Sequence, residues 1–323
     1  MPPLRLQPLF KQRPWGGRRL AQQWRKPDAN STGWAESWEV VDLGEDQSRI
    51  IGGPYDGRLL HELVREHPVE LLGRHASCGR FPLLFKFLDA AETLSVQVHP
   101  NDSQSARIAA GGCGKSEAWV ILLAEPDSRM FIGLNSEVDR VTLERHLAAG
   151  TVEQCLHSIT VQPGDVISVP AGTVHAIGAG IALAEIQQSN DMTFRLFDWN
   201  RRDAQGRPRE LHIEQALQCI DFSCGPVSLH LPREIPSVDH RHEVLVQNGH
   251  FLWRRHRSTG RKFQLPDEDR CRIVSLIAGQ ANVQSDSSRE SLAVGESLLI
   301  PADCDRVEVE ATEGSVLLEA LPA

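Results

Sequence analysis

Four short patches of this chain carry residues whose types and spacing could do metal chemistry. They are the run Ser95-Val96-Gln97-Val98-His99-Pro100, the run Lys115-Ser116-Glu117, the run Pro170-Ala171-Gly172-Thr173-Val174-His175, and Arg195. Gln97, His99, Glu117 and His175 offer two imidazoles, one carboxylate and one amide oxygen, with no thiolate. Such a donor set suits a catalytic divalent ion with an exchangeable position better than a closed structural site. Taken singly, each has an ordinary reading: His99 before a proline as a strand-end surface residue, Glu117 as an ion-paired strand residue. It is the joint pattern that argues for a site.

The elements that must position these residues are mostly strands. Short apolar runs punctuated by Gly and Pro predict strands over 37–43, 83–88, 94–99, 117–123, 166–169, 181–187, 272–277, 297–300 and 316–320. In a strand over 94–99, period-two alternation puts Ser95, Gln97 and His99 on one face and Leu94, Val96 and Val98 on the other. The same alternation groups Lys115, Glu117 and Trp119. Helical periodicity is confined to 59–72, 101–110, 138–159 and 213–220, with Asn101-Asp102-Ser103 supplying N-cap chemistry for the second. The chain therefore reads as mainly β with a helical layer.

A length of 323 residues predicts about two domains. With 34 basic against 43 acidic residues the formal charge is -9, and no basic stripe offers charge to a phosphate backbone, so nucleic acid is excluded as an expected partner. Seven scattered cysteines without a Cys-x-x-Cys pair argue against a disulfide framework and a thiolate zinc site. The proline-broken first 17 residues lack an apolar leader core, and no later run is long enough to cross a bilayer. A reducing cytoplasm, with no membrane and no evident obligate protein partner, is the expectation. Gly114-Lys115-Ser116 imitates a phosphate-binding P-loop, but Ala109 stands where its first glycine belongs, and a strand-like segment follows instead of a helix. A turn is the expected role of these glycines.

The third patch also resembles a fold signature. From Gly164 the spacing runs five residues to Pro170, one to Gly172 and two to His175, similar to the second motif of cupins, although Ala179 stands where that motif has asparagine. Gly295-Glu-Ser-Leu-Leu-Ile-Pro301-Ala302 repeats the spacing of Gly164 to Ala171, with Asp303 in place of Gly172 and Arg306 in place of His175. The expectation is two cupin-like β-barrel (jelly-roll) domains. A metal-binding catalytic one would span 1–223, with a helical insert at about 126–160. A degenerate one without metal ligands would span 224–323, the boundary falling near 224–242.

A more specific resemblance covers about residues 7–221. Phe10-Lys11, Trp15-Gly16-Gly17, Glu36-Ser37-Trp38-Glu39, the run at 94–102 (Leu-Ser-Val-Gln-Val-His-Pro-Asn-Asp), the run at 114–119 (Gly-Lys-Ser-Glu-Ala-Trp), 169–178, 185–190, 195–199 and Leu211-His212-Ile213 follow in order the motifs of type I mannose-6-phosphate isomerases. The short bacterial form of that family is the closer match. The resemblance implies one Zn2+ per chain on His99, Glu117 and His175, with Gln97 as a fourth ligand in many members. It also implies a catalytic Arg195, a candidate base at Glu185, and sugar-phosphate contacts from Lys115, Ser95 and Arg201. Gln187 and Gln188 depart from some members and leave the base open.

The implied chemistry asks for these residue types. Interconverting mannose 6-phosphate and fructose 6-phosphate through a cis-enediol needs a base and stabilisation of charge growing on O1 and O2. A divalent ion polarises those oxygens, a fixed guanidinium adds positive charge, and lysine and serine can hold a dianionic phosphate. Two rivals share the ligand pattern: a sugar-phosphate sensor without catalysis, which would need no proton-transfer group, and an iron-dependent oxygenase using the two-His-one-carboxylate triad.

Overall fold

The computed structural model describes residues 1–24, 26, 33–109, 112–203, 205–284, 291–304 and 306–323. Of five sheets among the described residues, four stack in layers. A six-stranded sheet, in the order Val166–Val169, Glu117–Ala124, Ile181–Gln188, Leu83–Ala90, Leu9–Gly17, Trp34–Val40, faces a five-stranded one ordered Leu156–Thr160, Arg129–Leu134, His175–Ile177, Val96–Val98, Phe194–Phe197. Trp119, Ile121, Leu88 and Leu183 from the first sheet pack with Met130, Ile132 and Ile177 from the second.

An eight-stranded sheet runs Arg233–Ile235, His240–Gln247, Phe251–Ser258, Val316–Pro322, Arg272–Ala278, Ser297–Ile300, Leu4–Gln7, Arg49–Ile51, and faces a three-stranded one. Its outer core holds Val274, Leu276, Leu298 and Leu317. Between the two large sheets lies the main core, where Phe85, Phe87, Ala118 and Ile186 meet Trp253, Phe251, Ile273 and Leu318.

That layering explains the sequence pattern. Leu83–Ala90 and Ile181–Gln188 are buried at every residue because both of their faces are covered, so they read as continuous runs without alternation. A charged residue inside such a run must be paired, and Lys86 and Glu185, directly opposite across the ladder, pair with each other. Val166–Val169 and Ser297–Ile300 form as expected from the repeated Gly-to-Pro spacing.

The expectations for helices hold at Leu60–Glu66, Pro68–Leu72, Asp102–Ile108 and Ile213–Cys219. Asn101 caps the third of these, its side chain accepting from Gln104 N–H at 3.0 Å. The segment at 126–160 differs. It holds one α-helix, Arg140–Ala149, ended by Gly150 in the left-handed conformation, and a short 3-10 turn, Val152–Cys155, between strands Arg129–Leu134 and Leu156–Thr160 that pair with each other. Met130, Ile132 and Leu134 alternate toward the core, a period-two signal that the helical reading overrode.

Leu9–Gly17 is a strand despite Pro14, which sits where the ladder to Trp34–Val40 slips register. The chain's first strand crosses to the C-terminal sheet, pairing Leu4 with Leu299. Among the described residues the ladders leave the sheets open and close no barrel.

Candidate metal and substrate site

Gln97 is the centre of one cross-strand row. It lies opposite His175 on one side and Arg195 on the other, in the five-stranded sheet. Glu117 comes from the facing sheet, between Val169 and Gln187. His99 follows its strand, and the loop carrying it is tied to the His175 loop by Gly172 N–H donating to His99 O at 2.9 Å. Gly172 has φ +89, which L side chains rarely adopt. Gly114 is needed for a different reason: a Cβ there would stand 2.6 Å from Asp102 N, so only glycine lets the segment leading into strand Glu117–Ala124 lie against the Asn101 cap. Its role is close packing, and residues 112–116 form no turn.

His99, Glu117 and His175 are fully buried, and one ligand atom from each lies within 4.8 Å of the others. Both imidazoles have their proton placed for them. His99 Nδ1–H donates to Met192 O and His175 Nδ1–H to Thr173 O, each at 2.9 Å, so both Nε2 lone pairs face inward. Glu117 reaches them with Oε1 3.3 Å from His175 Nε2 and Oε2 3.6 Å from His99 Nε2. Gln97 Nε2 stands 3.2 Å from His175 Nε2.

Burial lowers the His175 pKa to about 4 and that of His99 well below its ordinary value, which keeps both rings neutral as ligands require. Glu117 Oε2 makes no hydrogen bond, although Lys115 Nζ lies 3.2 Å away at ion-pair distance. An inward-facing carboxylate oxygen without a hydrogen bond beside two inward lone pairs fits a divalent ion.

Gln97, Lys115 and Glu117 connect this cluster to a cavity of about 320 Å³ whose walls also include Ser95, Glu185 and Arg195. Arg195 Nε donates to Ser95 Oγ at 3.2 Å and Nη1 to Glu210 O at 2.8 Å. Lys115 Nζ is 3.1 Å from His99 Nε2. Glu185 accepts from Trp119 Nε1–H at 3.0 Å and stands 3.1 Å from Lys86 Nζ. Burial pushes the Glu185 carboxyl up, with Lys86 pulling the other way.

Arg201 is the predicted site residue that is not brought in. Its guanidinium donates to Thr93 O at 2.7 Å, pairs with Asp198, and borders a neighbouring recess.

The cavity also holds residues that the sequence reading missed: Arg13, Glu36, Lys86, Asp191, Thr193 and Arg209. Lys86 had a readable signal, as a single charge inside Leu-Leu-Phe-Lys-Phe-Leu. Asp191 opens to the cavity yet is desolvated by the protein around it, which pushes its carboxyl up. Arg13 and Arg209 carried no local signal, because each reaches the cavity from a separate part of the chain.

The two-sheet frame and its His-Glu-His cluster define a mainly β protein with a candidate metal site at the wall of a charged cavity. Residues 4–126 match the family described as phosphomannose isomerase type I, catalytic domain. Mannose-6-phosphate isomerase ManA of Bacillus subtilis is 34% identical over 95% of this chain and 96% of its own length. Mannose-6-phosphate isomerase of Streptococcus mutans is 35% identical over 93% and 92%. The crystal structure of mannose 6-phosphate isomerase from Bacillus subtilis superposes with a TM-score of 0.88 at 28% identity, covering 99% of each chain. The chain belongs to the type I mannose-6-phosphate isomerases, a family of aldose–ketose isomerases.

Proposed function

We propose that this chain interconverts mannose 6-phosphate and fructose 6-phosphate by proton transfer through a cis-enediol, with one zinc ion at this site. The observation that carries the reading is that the buried His99, Glu117 and His175 cluster opens through Glu117 on a cavity that also holds a buried carboxylate, Glu185, and a fixed guanidinium, Arg195. A sensor would need the ligands and the phosphate contacts, but no desolvated carboxylate with a raised pKa.

His99, Glu117 and His175 hold the ion, with Gln97 positioned to turn its amide oxygen to the same point. When bound, the ion supplies Lewis acidity toward O1 and O2 of the sugar. Glu185 is the base that carries the proton between C2 and C1. Burial raises its proton affinity, while Lys86 beside it favours the ionised form. Arg195, next to Gln97 in the same row, stabilises negative charge on the enediol oxygens. Lys115 lies among the ligands and serves the sugar oxygens and the phosphate. Ser95, held by Arg195, takes a phosphate oxygen, and Arg13 and Arg209 add the positive charge a dianion needs. Arg201, in the adjoining recess, borders the entrance.

The paired layers support reading the chain as two cupin-like jelly rolls, 1–223 and 224–323, with strands Leu4–Gln7 and Arg49–Ile51 added to the sheet of the second. Seven free cysteines support a reducing cytoplasm as the place of action. No helix among the described residues is long and apolar enough to cross a membrane.

A coupled assay from mannose 6-phosphate to fructose 6-phosphate, run before and after chelation, tests the reading. Turnover that stops on chelation and returns with Zn2+ is expected. Tight binding of mannose 6-phosphate without turnover would overturn it in favour of a sensor. In the same assay Arg195→Ala is expected to lower kcat by roughly two to three orders of magnitude, the ~3–4 kcal/mol typical of a preorganised charge stabiliser, with binding kept within about tenfold. Lost binding at unchanged kcat would make Arg195 a phosphate anchor.

A further inference from the structure

We infer that His240, His242 and His256 form a second metal site, in the C-terminal half of the chain, suited to a late first-row divalent ion such as Zn2+. His240 and His242 alternate along strand His240–Gln247, and His256 lies directly opposite His242 on strand Phe251–Ser258, so all three rings share one face. All three are buried, and one ring nitrogen from each lies within 4.8 Å of the others. The site is separate from His99, Glu117 and His175 and belongs to a different sheet.

The ring protons can be assigned from the surroundings. Glu319 is a fully buried carboxylate that also receives Arg272 Nη1 at 3.0 Å and Arg254 Nη1 at 3.3 Å. It can only accept, so His256 Nε2–H donates to it at 3.0 Å, and His256 Nδ1 keeps its lone pair. This is the carboxylate–histidine arrangement that orients ligating imidazoles. His240 Nε2 lies 3.0 Å from that lone pair and donates to it, while His240 Nδ1 lies 3.2 Å from Ser237 Oγ. A hydroxyl can donate or accept. Moving the His240 proton from Nε2 to Nδ1 therefore frees Nε2 as a ligand, turns Ser237 from donor to acceptor, and releases no net proton.

His242 supplies the independent sign of a missing partner. Its Nε2 is buried without any hydrogen bond, a condition that native interiors rarely leave unexplained. The His242 and His256 rings lie 26° from parallel with centroids 4.6 Å apart, so binding turns His242 edge-on toward the ion. That turn breaks no bond at Nε2. The His240 ring stacks on Phe263 at 4.1 Å, which gives the site an apolar wall. An all-imidazole set selects Zn2+, Co2+, Ni2+ or Cu2+ over Mg2+ and Ca2+, which want oxygen ligands. With three protein ligands the ion clamps two neighbouring strands and keeps a fourth position for solvent.

The test uses the full chain, stripped by chelation and titrated with Zn2+ by calorimetry and metal analysis. Wild type is expected to take two ions and the His99→Ala/His175→Ala variant one. Adding His242→Ala to that variant should weaken the remaining ion by about a hundredfold or more. Isomerase turnover of the single variant His242→Ala is expected unchanged. A His99→Ala/His175→Ala protein that takes no zinc, or one whose zinc survives His242→Ala, overturns the inference. Equal zinc in wild type and His99→Ala/His175→Ala would instead sink the assignment of the first site. Should His242→Ala fail to fold, histidine ring resonances of the His99→Ala/His175→Ala protein decide. Shifts of all three rings on adding Zn2+ support the site, and unmoved rings refute it.

Discussion

The two large sheets share one strand frame and use it oppositely. In the six-stranded sheet a row of facing residues runs Ile167, Trp119, Glu185, Lys86, Trp38; in the eight-stranded sheet the corresponding row runs Leu298, Val274, Glu319, Arg254, Val244. Each row crosses a buried carboxylate to a cation, Glu185 to the buried Lys86 and Glu319 to the half-buried Arg254. Two residues before Trp119 stands Glu117; two before Val274 stands Arg272.

That exchange reverses the electrostatics. Burial pushes Glu185 up with Lys86 as its chief opposing charge, whereas Glu319 is held far below the carboxylate range, against its burial, by His256, Arg272 and Arg254. The first frame leaves a cavity with a carboxylate able to take a proton. The second fills the same space with a closed ion network. A frame can therefore be kept while its chemistry is decided by the side chains that point into it.

The largest expected effect comes from the catalytic side. His175→Ala is expected to cost the ion at the first site and roughly a thousandfold or more of turnover, several kcal/mol of lost charge stabilisation. Circular dichroism should stay native, because His175 is one residue of a preformed two-sheet frame. Undiminished metal content in this variant would remove it from the ligand set.

On the other side, Glu319→Ala leaves Arg254, Arg272 and His256 around an empty place. We expect a loss of about 3–5 kcal/mol in urea unfolding, as for a broken buried pair, with turnover per folded molecule unchanged. A drop in kcat at full folding would show that the closed network is coupled to the cavity, and the contrast between the sheets would fail.

Lys86→Gln sharpens the comparison through pH. Lys86 lowers the Glu185 pKa against burial, so its removal raises that pKa further. A base works only when deprotonated, so the acid limb of the kcat/KM profile should move to higher pH. An unmoved limb would take the proton-transfer role from Glu185 and equally from Asp191, whose raised carboxyl Lys86 also pulls down. The smallest effect is expected from Arg201→Ala: less than about threefold in kcat/KM, since its guanidinium is engaged by Thr93 and Asp198 and partly exposed. A tenfold rise in KM would restore it as a phosphate contact.

Much of the site was legible because its ligands sit on strand segments with local signals. Alternation alone placed Gln97 with Ser95 and His99, and Glu117 with Lys115 and Trp119, and the Gly164-to-His175 spacing marked a loop that needs glycine at 172. Asn101 announced its helix by capping chemistry. The repeat at Gly295 announced the strand Ser297–Ile300 as the counterpart of Val166–Val169. His240, Arg241, His242 and Glu243 also alternate, but a polar strand carries no hydrophobic period, so this signal passed unread.

Residue types and local spacing determined which side chains could act together on one face of one element. Tertiary structure decided which faces meet. It set Gln97 between His175 and Arg195, which are 78 and 98 positions away. It drew Lys86, Asp191 and Arg209 into the cavity, left Arg201 outside, and carried the first strand across to Leu299. The physical reason is that side-chain direction along a strand follows from local backbone geometry. Ladder register and sheet stacking instead follow from burying apolar faces contributed by distant segments, and no short window of sequence contains both partners.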